Sequence, residues 1–503
     1  MNSHVEHKKS SLAALGLHAQ AGREATITGL SVDSREIKDG TLFVALPGNK
    51  VHGGEFIQYA LRMGATAILT DAQGAQIAVK ELAESTAALI IAEDPRGALA
   101  LTASLWFGAH PETMIAVTGT NGKTSVSTFA RQIWTEMAIA AVNLGTTGVE
   151  GAWTHPLKHT TPEPITLHRT LALAKANGIT HVAMEASSHG LDQRRLDGVL
   201  LSAAGFTNFT HDHLDYHKTF EAYFDAKMEL FKRLLPDDGV AVVNIDDPSG
   251  FEVVQLAHNR GLETITVGRH PASILKLTGQ RFESTGQEIF FDWQRGSHKA
   301  RLNLIGGFQA DNVLLAVALV IAAGGDPEEA FNTLPHLSTV RGRMHHAATR
   351  RNGGSVFVDY AHTPDAVATA LMSMRRHVMG KLVAVVGAGG DRDTGKRQLM
   401  GQAAAQNADM VFVTDDNPRS ENPSIIRSAI MKGALEYTTG KSVFEVGDRA
   451  EAILRGVDAL GPGDALLIVG KGHENGQIVG EDVLPFDDVE QASIAVGALD
   501  GDL

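Results

Sequence analysis

The sequence predicts an α/β protein of three domains with mostly parallel sheets. Two observations carry that reading. Apolar runs of strand length alternate with helical patterns along nearly the whole chain, as βαβ units require. The length, 503 residues, also exceeds what one hydrophobic core organises, so several domains are needed.

The first block, residues 1–105, interleaves the runs "LFVAL", "TAILT" and "ALIIA" with helical patterns and reads as a small α/β domain. The second, 106–345, opens with "TMIAVTG" and continues through "HVAMEAS", "AAGFTNF" and "GVAVVNI". Alternating segments between about 262 and 305, such as "LNLIG", predict appended antiparallel strands. The run "VLLAVALVIAA", 313–323, predicts a buried helix, being too short to span a bilayer. The third block, 346–503, runs through "SVFVDYA", "KLVAVVGAGG", "MVFVT" and "ALLIVG". The N-terminal "MNSHVEHKKSSLAALGLHA" lacks a long apolar stretch and reads as a helix start, not a signal peptide.

Composition narrows the function. A net charge of −14 argues against general binding to nucleic acid or anionic membranes. An anionic ligand must therefore be held by local Arg, Lys or backbone N–H groups. Cysteine is absent. That excludes disulfides, thiolate zinc sites and a cysteine nucleophile, and suits a reducing compartment.

The strongest motif is "VTGTNGKTS", 117–125, between an apolar strand and a helix. Gly119 and Gly122 permit a tight turn and close approach to phosphates. Lys123 reaches terminal phosphates, and the Thr124 hydroxyl suits Mg²⁺. Val117 stands where a phosphate loop usually has its first Gly. A Gly-rich turn with a surface lysine explains the composition, but not the strand before and the helix after.

Other motifs are more open. In "AMEASSHGLDQRRL", Glu185 ends an apolar strand, a common place for a metal-binding carboxylate, with Ser187, Ser188, Gln193 and Arg195 following. A structural salt bridge explains it equally well. In "FTNFTHDHLDYH", His211, His213 and His217 mix with Asp212 and Asp215. Zinc, a Mg²⁺-associated site and a plain polar loop stand level there. In "FEAYFDAKMELFKRLL", Lys227 falls in register with Phe220, Phe224, Phe231 and Leu234. Snorkelling of its ammonium to the surface is the simpler expectation. Asn312, Arg343, Asp359 and His362 each fit a cap, a linker salt bridge or a loop. Finally, "DDNPRSENP", 415–423, follows the run "ADMVFVT". A strand there puts Asp416, Asn417, Pro418 and Arg419 at its carboxyl end, where open α/β sheets bind ligands. Pro418 restricts the backbone before Arg419, and Asn422–Pro423 suits the start of a helix. A loop salt bridge accounts for Arg419 equally well.

Seven motifs in one order, "TGTNGKT", "MEASSHGL", "FTNFTHDHLDYH", "DYAHTPDA", "GAGGDRDTGKR", "DDNPR" and "GKGHE", resemble the Mur ligases. These are ATP-dependent amino-acid-adding enzymes of peptidoglycan precursor synthesis. The resemblance implies an N-terminal uridine-nucleotide domain, a central P-loop ATPase-like domain and a C-terminal Rossmann-like domain. It implies ATP and Mg²⁺ as cofactors, and addition of meso-diaminopimelate to UDP-N-acetylmuramoyl-L-alanyl-D-glutamate by a cytoplasmic monomer. Val32, Ser34, Asn49, Lys50 and Val51 would hold the uridine nucleotide, and Thr160, Thr161, Ser187, Gln193 and Arg195 the rest of that substrate. Gly119, Thr120, Asn121, Gly122, Lys123, Thr124, Ser125, Asn312, Arg343 and Asp359 would bind ATP. Thr124, Glu185, His213 and carbamylated Lys227 would form the Mg²⁺ environment, with Lys123, Lys227 and His213 catalytic. Arg392, Asp416, Asn417, Pro418, Arg419, Gly470 and Glu474 would receive the diaminopimelate. Gln309 departs from the family's Asn and touches the expectation for adenine contacts. The competing readings are the same reaction with L-lysine, a folylpolyglutamate synthetase, and a nucleotide-driven switch or transport ATPase.

Overall fold

A computed structural model describes residues 8–48, 51–210, 212, 214–283, 285–437 and 442–501. The chain divides into two compact units, one of Met1–Thr118, Ile139–Ala204 and Ala226–Gly239, the other of Gly119–Ala138, Gly205–Asp225 and Val240–Leu503.

In the first unit, four parallel strands lie in chain order: Gly29–Ser31, Thr41–Ala45, Ala65–Thr70 and Ala88–Ile91. Thr41–Ala45 is buried throughout because both faces are covered. Leu42 and Val44 share a core with Leu99, Ala103 and Trp106, while Phe43 and Ala45 pack with Ile57 and Ala60. The helix Pro95–Phe107 starts at Asp94, whose carboxylate accepts from Gly97 N–H, and stops at Gly108 with φ 71°. The same unit holds a second parallel set, Thr113–Thr118, His181–Glu185 and Ala141–Gly145, with Gly148–Gly151 antiparallel at its edge. The helix expected at the N-terminus is, among the described residues, one 3₁₀ turn, Ala13–Leu15. Gly16 ends it in a left-handed conformation, φ 70°.

In the second unit, Lys123–Glu136 packs against Gln309–Ala322. The latter is buried at every position from 312 to 320, as the apolar run predicts. Val240–Asn244 and Glu263–Gly268 pair in parallel, and Leu275–Glu283, Gly286–Trp293 and Gly296–Leu302 form the expected antiparallel meander. The last strand ends at Leu302, so most of "LNLIG" is not strand. Two glycines, Gly306 with φ 100° and Gly307, turn the chain toward the helix there.

The rest of this unit is a doubly wound sheet. Its order is His345–Thr349, Ser355–Asp359, Ala465–Val469, Leu382–Val386, Met410–Val413 and Ser442–Glu445, all parallel but the first. Val367, Leu371, Met400 and Ile430 cover one face, and Ile453, Val457, Ala492 and Val496 the other. The chain passes from Ser355–Asp359 to Leu382–Val386 and later returns to fill the place between them. That reversal opens a crevice at the strands' carboxyl ends. No helix among the described residues is long and apolar enough to cross a membrane.

Behind the crevice, Arg449 and Asp488 form a two-pronged ion pair, Nε–Oδ1 2.8 Å and Nη2–Oδ2 2.7 Å, with both side chains fully buried. Removing one partner strands the other charge. Asp488→Ala is expected to lose about 3–5 kcal/mol of stability, read as a lowered urea midpoint with an unchanged slope.

Candidate active site

The glycine-rich loop is built as its sequence requires. Gly119 has φ 143° and Gly122 φ 88°, and the helix Lys123–Glu136 starts immediately after. A methyl on Gly119 would lie 1.9 Å from Thr207 Oγ1. The segment 207–210 clamps this loop. Thr207 Oγ1 donates to Asn121 O (2.6 Å), and Asn121 N–H donates to Asn208 Oδ1 (2.9 Å). Thr210 N–H donates to Thr120 Oγ1 (3.0 Å), and Asn244 Nδ2 secures Thr207 O (2.7 Å). The Lys123 ammonium reaches back to the carbonyls of Gly119 (2.9 Å) and Thr120 (2.8 Å).

Beside the loop is a cavity of ≈ 240 Å³. Asn121, Gly122, Ser125, Asn312, Arg343 and Asp359 line it, so the structure gathers six of the residues expected to bind ATP. Asn208, Asn244, Phe308, Tyr360 and Asp365 line it too, though the sequence reading did not name them as binders. Asn208 lies inside the quoted "FTNFTHDH", which was the available signal. Arg343 sits 4.5 Å over the Tyr360 ring and donates to Thr124 Oγ1 at 3.3 Å. Asp359 accepts from Met344 N–H (2.7 Å) and Ala361 N–H (2.8 Å). Burial pushes its carboxyl above the usual range, against the pull of Arg343. Gln309 is buried outside the cavity lining, and its Oε1 accepts from Asn312 Nδ2 (3.1 Å). Its departure from the family residue therefore acts through Asn312.

In the other unit, Glu185 ends the strand His181–Glu185 and is buried. Thr146, which the sequence reading missed, holds the carboxylate through N–H (2.8 Å) and Oγ1 (3.1 Å), and contacts Thr160 Oγ1 (3.1 Å). Thr161 Oγ1 donates to Glu185 O (2.9 Å) and accepts from Ser187 N–H (3.0 Å). Arg195 donates to Thr161 O (2.6 Å) and Gln193 Oε1 (2.8 Å). Thr160, Thr161, Glu185, Ser187, Gln193 and Arg195 thus form one polar cluster. Val32, Ser34 and Val51 line a separate cavity of ≈ 760 Å³ with Tyr59 and Arg96. Asn49, Lys50, His211 and His213 lie outside the described residues.

Lys227 does not snorkel. It is 1% exposed on the helix Phe220–Glu229, in a stripe with Tyr223 and Leu230, whereas Phe220 is 42% exposed. Of the phenylalanines in register with it, Phe231 is buried and Phe220 is not. Among the described residues no three His, Cys, Asp or Glu side chains gather as a metal cage. The donors that are described, the Thr124 hydroxyl and the Glu185 carboxylate, are hard oxygens. Each, within its own unit, is a donor of the kind Mg²⁺ takes.

The crevice of the doubly wound sheet collects the remaining candidates. Met410–Val413 is a parallel strand, and Asn422 caps the helix Pro423–Leu435, as expected. Within "DDNPRSENP", Asp415 pairs with Arg427 and Glu421 with Arg397. Arg419 forms no ion pair among the described residues; its Nη1 donates to Gly390 O at 2.8 Å. Its backbone is left-handed, φ 52°, held by Arg419 N–H to Ile478 O (3.0 Å) and Gly480 N–H to Arg419 O (2.8 Å). Gly390 is required here, since a methyl on it would lie 1.9 Å from Pro418 O; one on Gly389 would lie 2.7 Å from Arg419 Nη1, the movable end of that side chain. Asp416 lies 4.0 Å from Arg449 and 3.9 Å from Lys471. Gly470, φ 118°, passes so close that a methyl would lie 2.5 Å from Asp416 Oδ2. Asn417 Nδ2 donates to Glu474 Oε2 (2.9 Å). Arg392 is exposed on the loop after Gly390. Hydrogen bonds from Ser420 hold Asp391 below the usual carboxyl range, and Arg419 and Arg392 add to it.

Comparison with known proteins follows this geometry. Residues 26–106 match the family model described as Mur ligase family, catalytic domain, residues 117–320 the Mur ligase middle domain, and 342–472 the Mur ligase, glutamate ligase domain. The chain is 45% identical over 478 residues to a UDP-N-acetylmuramoyl-L-alanyl-D-glutamate–2,6-diaminopimelate ligase of Bradyrhizobium diazoefficiens, covering 94% of this chain and 95% of that one. A solved structure of a ligase with the same name aligns at TM-score 0.71 and 32% identity, over 98% of this chain and 99% of the other. The Mycobacterium tuberculosis folylpolyglutamate synthase, solved with ADP and AMPPCP, aligns at TM-score 0.61 and 17% identity, over 81% and 95%. That likeness shows the fold alone.

The fit of Gly119 against Thr207 gives a direct test of the loop. Gly119→Ala must displace Thr207 and adopt an unfavourable φ. The expected outcome, in titration calorimetry, is ATP affinity lowered at least about tenfold, the loss of about one strong hydrogen bond, with the far-ultraviolet spectrum unchanged.

Proposed function

Because the chain belongs to the Mur ligase family, we propose that it adds meso-diaminopimelate to the D-glutamyl γ-carboxylate of UDP-N-acetylmuramoyl-L-alanyl-D-glutamate, driven by ATP. The observation that carries this reading is the crevice around Arg419. Diaminopimelate differs from lysine by a second carboxylate at its far end. Arg419 offers a planar guanidinium fork on a backbone pinned by proline, glycine and a β-hairpin, which suits that carboxylate. Asp416, Asn417, Glu474 and Arg392 supply further groups for a zwitterion.

We assign the parts as follows. Residues 1–105 hold the uridine nucleotide in the cavity of Val32, Ser34 and Val51. Residues 106–345 bind ATP at the glycine-rich loop, and 346–503 bind the amine. A carboxylate and an amine do not condense in water unless the carboxylate is activated. Transfer of the γ-phosphoryl group gives an acyl phosphate and ADP; the amine attacks its carbonyl carbon and phosphate leaves. No protein nucleophile is needed. Lys123 and the N–H groups opening its helix neutralise charge on the transferring phosphoryl group. The Thr124 hydroxyl would hold Mg²⁺, which would supply charge neutralisation for the phosphates. The cluster of Thr160, Thr161, Ser187, Gln193 and Arg195 orients the dipeptide end. A cytoplasmic monomer is part of this proposal.

Lys227 deepens the reading. A buried ammonium is costly. Reaction of its neutral amine with CO₂ releases a proton and leaves a carbamate anion, which suits a Mg²⁺ environment. Enzyme equilibrated with ¹³CO₂ is expected to show one carbamate carbon resonance that Lys227→Ala lacks. Lys227→Ala is expected to be nearly inactive, with partial recovery in short carboxylic acids. Wild-type enzyme without the resonance would refute the modification.

The reaction itself is tested by phosphate release with the UDP-dipeptide and a panel of diamino acids. Arg419 is half-buried, so an unmatched guanidinium should cost about 2 kcal/mol, the low end of the range for a broken charge pair, or roughly thirtyfold. Meso-diaminopimelate is expected to exceed L-lysine by that factor in kcat/KM, and Arg419→Ala to abolish the preference. Equal use of both amines by the wild type would overturn recognition by Arg419, and a preference for L-lysine favours the lysine-adding alternative. ATP hydrolysis indifferent to any amine favours the switch or transport reading.

A further inference from the structure

Lys471, the lysine of "GKGHE", is 0% exposed and is used by none of the assignments above. Its Nζ lies 2.8 Å from Asn417 Oδ1, 3.5 Å from Glu474 Oε2 and 3.9 Å from Asp416 Oδ1. Three recognition residues therefore surround one buried ammonium. Burial pulls its pKa down, and Asp416 and Glu474 pull it back.

The contacts decide which way the Asn417 amide faces. An asparagine presents an oxygen on one side and an NH₂ on the other, and only its hydrogen bonds tell them apart. Two groups converge on one of these atoms: the Lys471 ammonium at 2.8 Å and the backbone N–H of Ile478 at 2.9 Å. Both are donors that cannot accept. The atom facing them must be the oxygen. The other atom, 2.9 Å from the Glu474 carboxylate, must be the NH₂. Glu474 takes one of its hydrogens, and one is left for a ligand.

We propose that Lys471 is a positioning residue of the amine-substrate crevice: with Ile478 N–H it locks Asn417 so that its NH₂ is held for a substrate carboxylate. The inference rests on the proposed reading of this crevice. The hairpin of Gly476–Val479 and Asp482–Pro485 completes the device. Gln477 Nε2 donates to Asp416 O (2.7 Å), Ile478 fixes Asn417 and Arg419, and Gly480 N–H closes on Arg419 O. Lys471 and this hairpin thus hold Asp416, Asn417 and Arg419 from one side. Without Lys471 the amide keeps Ile478 N–H on its oxygen and Glu474 on its NH₂ but loses the charged bond that pins it, so the NH₂ is held less firmly for a substrate carboxylate.

The test is steady-state kinetics of the full-length enzyme with meso-diaminopimelate. Lys471→Met, close in shape but unable to donate, is expected to raise KM for the amine at least about tenfold, the value of one charge-assisted hydrogen bond. KM for ATP should stay within about twofold. In an Asn417→Ala background, adding Lys471→Met should change KM for the amine less than about twofold, because the residue it positions is gone. Independent, multiplying effects would overturn the proposal, as would an equal rise in KM for ATP. If Lys471→Met fails to fold, Asn417→Asp tests the same orientation with the lysine intact. Its second carboxylate oxygen replaces the NH₂, and KM for the amine should again rise at least about tenfold; a wild-type KM would overturn the proposal. A wild-type enzyme that does not ligate meso-diaminopimelate retires the proposed function itself. An active wild type with an unaffected Lys471→Met retires only the role of Lys471.

Discussion

Asp416 is 7% exposed and sits between two fully buried cations, Arg449 at 4.0 Å and Lys471 at 3.9 Å. The arrangement at the sheet's carboxyl edge depends on this buried charge balance. Arg449 is anchored from behind by Asp488, and Lys471 is shared with Asn417 and Glu474. Buried charges of this kind are expensive to assemble and contribute little net stability. What they provide here is a polar crevice with few ways to rearrange. A zwitterion with two carboxylates and two amines is recognised by placed charges, and placed charges have to be held by others that do not move.

Asp359 links this crevice to the cavity beside the glycine-rich loop. Its carboxylate fixes Met344 and Ala361, while its carbonyl accepts from Gly470 N–H at 3.1 Å. Tyr360, next in the chain, carries Arg343 on one side and approaches the His473 ring at 5.1 Å. Arg343 in turn reaches Thr124. The cavity beside the glycine-rich loop and the crevice, the proposed nucleotide and amine sites, therefore share a short run of backbone.

The sequence showed much of this, for identifiable reasons. Parallel strands buried on both faces give continuous apolar runs, so Thr41–Ala45, Leu382–Val386 and Ala465–Val469 were legible at once. In "TGTNGKT" and "GAGG", Gly119, Gly122, Gly387, Gly389 and Gly390 each stand where a side chain would meet a neighbour, respectively Thr207, Asn312, Thr414, Arg419 and Pro418. The phenylalanine register does place Lys227 on the buried stripe; snorkelling is the wrong expectation there because it rests on the cost of burying a charge, and the ammonium stays inside. Thr146 and Gln477 lie outside every quoted motif and Lys471 lies inside "GKGHE", but nothing local shows what any of them holds. Each acts through a partner 39, 54 or 61 residues away in the chain, and only the tertiary fold brings those pairs together.

The central claim is that this crevice reads the distal carboxylate of meso-diaminopimelate. The most direct measurement is a crystal structure of the protein with that amino acid bound. The account predicts the distal carboxylate within about 2.7–3.1 Å of the Arg419 guanidinium, with Asn417 Nδ2 turned toward a substrate carboxylate and still bonded to Glu474. A distal carboxylate pointing into solvent, with Arg419 still on the Gly390 carbonyl, would contradict it.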